Sequence, residues 1–133
     1  MKNKELLFLD IRNLSLEFFN IEKKPTICIL ALVDIPTNLD WLVEQVINVG
    51  GVWFISLGKF AHEIEDLIDD FVFDREPSIV TMPYESVESY DDFSFFVLNH
   101  VFRENTAHRF LVVTDSYSEY SILRSSLESA FNS

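Results

Sequence analysis

Four residues stand where an α/β protein tends to keep reactive groups: Asp34, Glu85, Asp115 and Ser116, each at or just past the end of a stretch that reads as a strand. Carboxylates placed there can hold a divalent cation or act as a base. The same residue types are also ordinary turn and cap formers. The spacing of Ser116 and Glu119 is that of a capping box, which gives Ser116 a structural task of its own. A second concentration of charge is Glu63, Glu65, Asp66, Asp69 and Asp70, five carboxylates within two turns of one amphipathic stretch, with His62 four residues before Asp66. That face reads in three ways: an acid–base pair, a solvated helix surface, or a field that steers a basic protein towards it.

Other chemistries lack an anchor. There is no Gly-x-Gly-x-x-Gly and no Walker pattern to cradle phosphate, and no Gly-x-Ser-x-Gly elbow to present a nucleophile. A phosphoacceptor domain of the response-regulator type needs an Asp ending its third strand, where this chain has Thr81-Met82-Pro83-Tyr84. Cys28 is the only cysteine; it lies inside an apolar run, which implies a buried, inert thiol and no internal disulfide. His62, His100 and His108 show no ligand spacing, so no metal site, cofactor or catalytic residue is expected.

With 22 acidic and 10 basic side chains among 133 residues, the formal charge is −12. Such a chain repels nucleic acid and anionic lipid and attracts basic partners. Hydrophobic residues make up 48%, against three glycines and four prolines, which excludes a disordered chain. Asp10 and Arg12 interrupt the first apolar stretch before it reaches the length of a signal or membrane segment. A lone cysteine and no leader point to the cytoplasm.

The elements that must position these residues follow from periodicity. Residues 26–36 form a short apolar run that stops at Asp34, the pattern of a central strand covered on both faces. Residues 2–24 are ambiguous. Leu7, Ile11, Leu14, Phe18 and Ile21 recur at helical spacing and favour a helix, with an antiparallel edge strand over 5–11 as the alternative. Thr37 with Asp40 reads as a helix start, and Gly50-Gly51 as its end. A strand at 52–57 precedes a helix over 59–71 with Phe60, Ile64, Leu67, Ile68 and Phe71 inward. A third strand, 78–82, is ended by Pro83. The helix over 91–103 carries Phe93, Phe95, Phe96, Val97, Leu98, Val101 and Phe102 around about 260° of its circumference, wider than one core-facing stripe. The excess calls for the N-terminal segment, a second copy of the chain or a partner to cover it. A strand at 109–114 leads to a final helix with Tyr120, Leu123, Leu127 and Phe131 inward. Trp41 and Trp53 read as core or boundary residues.

These elements predict a single α/β domain over 1–133: three layers, an open, mainly parallel sheet of four strands with helices on both faces. Counting from the strand of residues 26–33, the expected order is 2-1-3-4. It opens a crevice at the carboxyl ends of the first and third strands.

Taken together, Trp41-Leu42-Val43, Gly50-Gly51-Val52-Trp53-Phe54, Ser56-Leu57-Gly58-Lys59 and Ser78-Ile79-Val80-Thr81-Met82 resemble a family of short bacterial single-domain α/β proteins with no assigned function, over roughly residues 25–131. The resemblance implies that fold and no activity. That family carries a Trp-His pair after its third strand, where this chain has Pro83 and Tyr84.

The functional expectation is a non-enzymatic protein-binding domain, an immunity or antitoxin-like bacterial protein that neutralises a basic toxin domain. A nuclease fits best, because carboxylates can mimic phosphates in a basic cleft. Glu63, Glu65, Asp66, Asp69, Asp70 and Phe95 are the candidate contacts, and a homodimer through the Phe-rich helix is a further possibility. The alternative is a small enzyme or nucleotide-like ligand binder using Asp34, Glu85, Asp115 and Ser116.

Overall fold

In the computed structural model, which describes residues 4–75, 78–101 and 109–132, five parallel strands form one sheet. They are β1 (Glu5–Asp10), β2 (Thr26–Ala31), β3 (Gly51–Leu57), β4 (Val80–Tyr84) and β5 (Arg109–Thr114), in spatial order β1-β5-β2-β3-β4. Four helices flank them: α1 (Leu39–Asn48), α2 (Ala61–Val72), α3 (Tyr90–Phe96), continued by a π-helical turn at Val97–Val101, and α4 (Ser121–Phe131). The fold is therefore α/β with an open parallel sheet, as the alternation of elements predicts.

Alternation along the buried strands divides the core in two. On one face Cys28, Leu30, Phe54, Leu111 and Val113 meet α1 and α2 through Leu42, Val43, Val46, Ile64 and Ile68. On the other, Ile27, Ile29, Ile55, Phe110 and Val112 meet α3 and α4 through Phe93, Val97, Leu123 and Leu127. β2 and β5 are buried at every position, which is why their sequences are nearly all apolar.

Several expectations are corrected. Residues 5–10 form an edge strand, not a helix, and it runs parallel to β5, not antiparallel. Leu7 and Leu9 face the α1–α2 layer and Leu6 and Phe8 the other, so period two governs there. The helical spacing that continues to Phe18 reflects the short 3₁₀ turns at Ile11–Asn13 and Leu16–Phe19, which carry the chain across the α1–α2 face. Phe19 meets the Trp41 ring edge-on at 5.8 Å there, so these turns lie on the face opposite the Phe-rich helix, and of the N-terminal segment only Leu6 and Phe8 join the cluster on its side.

The expected order 2-1-3-4 fails because β5, not β4, lies beside β2. α1 and α2 occupy one face, so the chain steps outward from β2 through β3 to β4. It then returns under the other face to place the more apolar β5 in the interior. β4 is left at the edge, where Pro83 is tolerated inside the strand instead of ending it.

Thr37 is not a cap: Asn38 occupies that position, without a side-chain bond. Gly50, at φ +108°, does end α1, and a side chain there would strike the Lys24 carbonyl. Phe102, Arg103 and His108 of the sequence reading lie outside the described residues.

Arg109 closes the amino-terminal end of the sheet. Its side chain is only 1% exposed. The guanidinium donates to the Val49 carbonyl at 3.2 Å, to Thr26 Oγ1 at 3.3 Å, to the Glu22 carbonyl and to Glu5 at 3.4 Å. Lys24 pairs with the same Glu5 carboxylate. Glu5 is held below the ordinary glutamate range, chiefly by the Lys24 hydrogen bond, with partial burial opposing and Arg109 assisting.

Removing the guanidinium takes a donor from the Val49 and Glu22 carbonyls, although the Lys24 N–H still reaches Val49 and the Thr26 hydroxyl still donates to the Lys24 carbonyl. Arg109→Met is expected to cost about 1–3 kcal/mol in urea unfolding, with Arg109→Lys failing to restore it because an ammonium cannot span the same fork of acceptors. Because the Glu5 pKa is depressed on folding, its contribution is fully present above the unfolded value and is lost as pH falls through the folded one. Glu5→Gln is thus expected to flatten the loss of Tm with acid below about pH 4.3, and an unchanged acid limb would refute the pairing.

Candidate functional site

The carboxyl end of the sheet is where side chains with chemical potential collect. β2 and β5 are neighbours whose following helices, α1 and α4, pack on opposite faces, so the switch point of the sheet lies between them. That crevice is filled from within. Asp115 accepts the backbone N–H of Val33 at 2.9 Å and of Asp34 at 3.1 Å, so one carboxylate takes the two amides that an anionic ligand would otherwise find.

Ser116 does not cap the final helix, which begins at Ser121 with Tyr120 at the cap position; its Oγ instead accepts the Glu119 N–H at 3.2 Å within the turn before that helix, and its N–H is bonded to Thr114 Oγ1. The Asp34 side chain is exposed. Of the four strand-end candidates, Glu85 alone reaches an open cavity.

That cavity is a cleft of about 460 Å³ over the ends of β3 and β4. Leu57 and Gly58 form its floor, Tyr84, Val87 and Tyr90 its aromatic and apolar wall, and Glu85, Glu119 and Lys59 its charged rim. Gly58, at φ +112°, lies so close to the Leu32 carbonyl and the Tyr120 hydroxyl that a Cβ would sit 2.6 and 2.7 Å from them. Its N–H donates to the Tyr84 carbonyl at 3.0 Å.

The Tyr120 hydroxyl donates to the Leu32 carbonyl at 3.1 Å, and burial pushes its pKa up to about 12, with Tyr90, Asp115 and Glu119 adding to the effect. Tyr84 is braced edge-on against Phe93 at 5.4 Å. Burial also raises the Tyr90 pKa, and the nearby Glu119 adds to it. A second hollow of about 350 Å³ continues past Ser89 and Asp92 to Phe96.

The acidic helix face is as the sequence places it. Glu63, Asp66, Asp69 and Asp70 are exposed and Glu65 half-buried. Oxygens of Glu65, Asp66 and Asp69 lie within 4.8 Å of one another, a donor set that suits a hard divalent cation, on an open face where such clusters also occur without one. Asp69 accepts the Thr81 hydroxyl of β4 at 2.7 Å. Among the described residues none of the five carboxylates is ion-paired to a lysine or arginine. The Glu65 pKa is raised, first by burial and then by the charges of Asp69 and Asp66. His62 comes within 4.0 Å of Glu85, so the carboxylate it meets belongs to the cleft rim.

Two features escaped the sequence. Leu67 does not turn inward; it is 42% exposed between Glu63 and Asp70, and Phe73 is 75% exposed just past the end of α2. Phe95 is 60% exposed, but it belongs to α3, in the layer opposite α2, so the structure does not bring it together with the five acids. Nor does α3 run as one regular helix, since a π-helical turn follows Phe96; Phe93, Ser94, Val97 and Leu98 share the buried arc and Phe95 falls outside it. The tyrosine wall had one legible signal, a Tyr at each end of an acidic, serine-rich loop directly after a strand.

Compared with known proteins, the chain matches no family model, no curated protein and no solved structure. No helix among the described residues is long and apolar enough to cross a membrane.

A raised Glu65 pKa means that ionising this carboxylate opposes folding, an effect absent in acid and growing as pH rises through the unfolded value. Asp66→Asn is expected to bring the Glu65 titration, followed by carboxyl NMR, back towards the ordinary glutamate range. An unmoved titration would show that burial alone sets it.

Proposed function

We propose that the protein is a non-enzymatic binding protein whose α2 surface docks a basic protein, in the manner of a bacterial immunity or antitoxin-like protein that neutralises a basic toxin domain. The observation that carries this reading is the unneutralised field of α2: five carboxylates without a lysine or arginine partner among the described residues, with Asp69 and Asp66 adding to the burial that raises the Glu65 pKa. Such a field speeds encounter with a basic surface, and the exposed Leu67 and Phe73 supply apolar contact beside it. A nuclease cleft suits the carboxylates best, since it is already built to receive phosphates. The alternative of a small enzyme or nucleotide-like binder on Asp34, Glu85, Asp115 and Ser116 has less behind it, because Asp115 and Ser116 are committed to backbone N–H groups.

Co-expression with the products of neighbouring genes identifies a partner, and charge reversal then tests the surface. Asp66→Lys with Asp70→Lys is expected to slow association with a basic partner by about tenfold or more and to weaken its salt dependence, while Glu128→Lys on α4 leaves both unchanged. A complex indifferent to the α2 reversal, or a partner with an acidic contact surface, would end this reading.

A further inference from the structure

We propose that the cleft over β3 and β4 is a binding site for an organic cation, an alkylamine or alkylguanidine whose charged head sits between Glu85 and Glu119 and whose stem lies along Tyr84 and Tyr90. The site is separate from the docking surface of α2 and does not depend on it. Its volume, about 460 Å³, is that of a small-ligand pocket.

Apart from the Tyr120 hydroxyl, which is bonded to the Leu32 carbonyl, its side-chain oxygens are uncommitted. No hydrogen bond among the described residues engages the Tyr84 or Tyr90 hydroxyl, Ser86 Oγ or the Glu119 carboxylate, and the Glu85 carboxylate has only the exposed His62 at 4.0 Å. The Lys59 ammonium is 5.2 Å from the Phe60 ring, so the one lysine of the rim already has an aromatic face to lie over. Two carboxylates against one lysine leave the cleft negative, with Asp92 in the adjoining hollow adding to that sign. Phosphates and carboxylic acids are therefore disfavoured, and an ammonium or guanidinium gains both charge-assisted hydrogen bonds and the faces of aromatic rings. The floor is already formed, because Gly58 is held against Leu32 and Tyr120 and its N–H against Tyr84.

The test is a titration of the full chain with cadaverine, followed by amide NMR, with pentanediol and glutarate as the neutral and anionic matches of the same length. Cadaverine is expected to give saturable shifts at Gly58, Glu85, Ser86 and Glu119, with neither control doing so. Glu85→Gln with Glu119→Gln is expected to weaken binding by about tenfold or more, and Asp70→Asn on α2 to leave it unchanged. Nα-acetyl-lysine amide distinguishes the source of the cation: shifts at the same residues indicate that the cleft receives a basic side chain, and binding of cadaverine alone indicates a free amine. Absence of saturable shifts, equal shifts with glutarate, or a loss on Asp70→Asn matching that of the double variant would overturn the proposal. None of those results bears on whether α2 docks a protein.

Discussion

The sheet depends on one buried cation. Arg109 begins the strand that lies between β1 and β2, and its guanidinium reaches both sides: Glu5 on the edge strand, Thr26 on the neighbour, and the carbonyls of Glu22 and Val49 in the segments that lead into and out of the α1 unit. An arginine in such a place is costly to desolvate and is tolerated only because every arm of the fork finds an acceptor. Lys24 adds a second positive charge on Glu5. Two of the ten basic side chains of this acidic chain are thus spent at the end of the sheet away from the cleft.

The two ends of the sheet therefore do different work. At the amino-terminal end the polar groups face one another and are satisfied. At the carboxyl-terminal end the switch point is sealed by Asp115, and the open space has moved sideways over β3 and β4, where tyrosines and glutamates face a cavity. The usual position for a ligand in such sheets is adjacent to this cleft but is not the cleft itself. Helix α4 is joined to α3 beside the cleft by the Ser126 hydroxyl, which donates to Asp91 at 2.7 Å.

How much of this was legible in the sequence varied with the reach of the interaction. β2, β3 and β5 and the helices α1, α2 and α4 are set by local apolar patterns, and those patterns were readable. β1 was not, because its alternation is followed at once by turns whose apolar spacing imitates a helix. The position of β4 at the edge had a signal in Pro83 and Thr81 that the order 2-1-3-4 ignored. Leu67 was placed inward because its neighbours Ile64 and Ile68 are, although an intermediate angle on α2 turns it to solvent. Asp115 was recognised as a residue of interest, but nothing local reveals that it meets amides 81 and 82 positions away. Arg109 went unremarked for the same reason. Two of its acceptors are backbone carbonyls, and carbonyls carry no mark in the sequence.

The pairing of β1 has a consequence for the order in which the fold is made. Glu5 and Arg109 are 104 positions apart, and among the described residues β1 lies against no strand except β5. During synthesis β1 leaves the ribosome long before the strand it pairs with exists, carrying Leu6, Leu7, Phe8 and Leu9 uncovered while β2, α1, β3, α2 and β4 follow. Closing so long a loop is the slowest kind of contact for a chain to form. β1, made before the other strands of this sheet, is thus among the last of them to be placed, and Lys4 and Glu5 at its start keep a charged end on a segment that must wait in water.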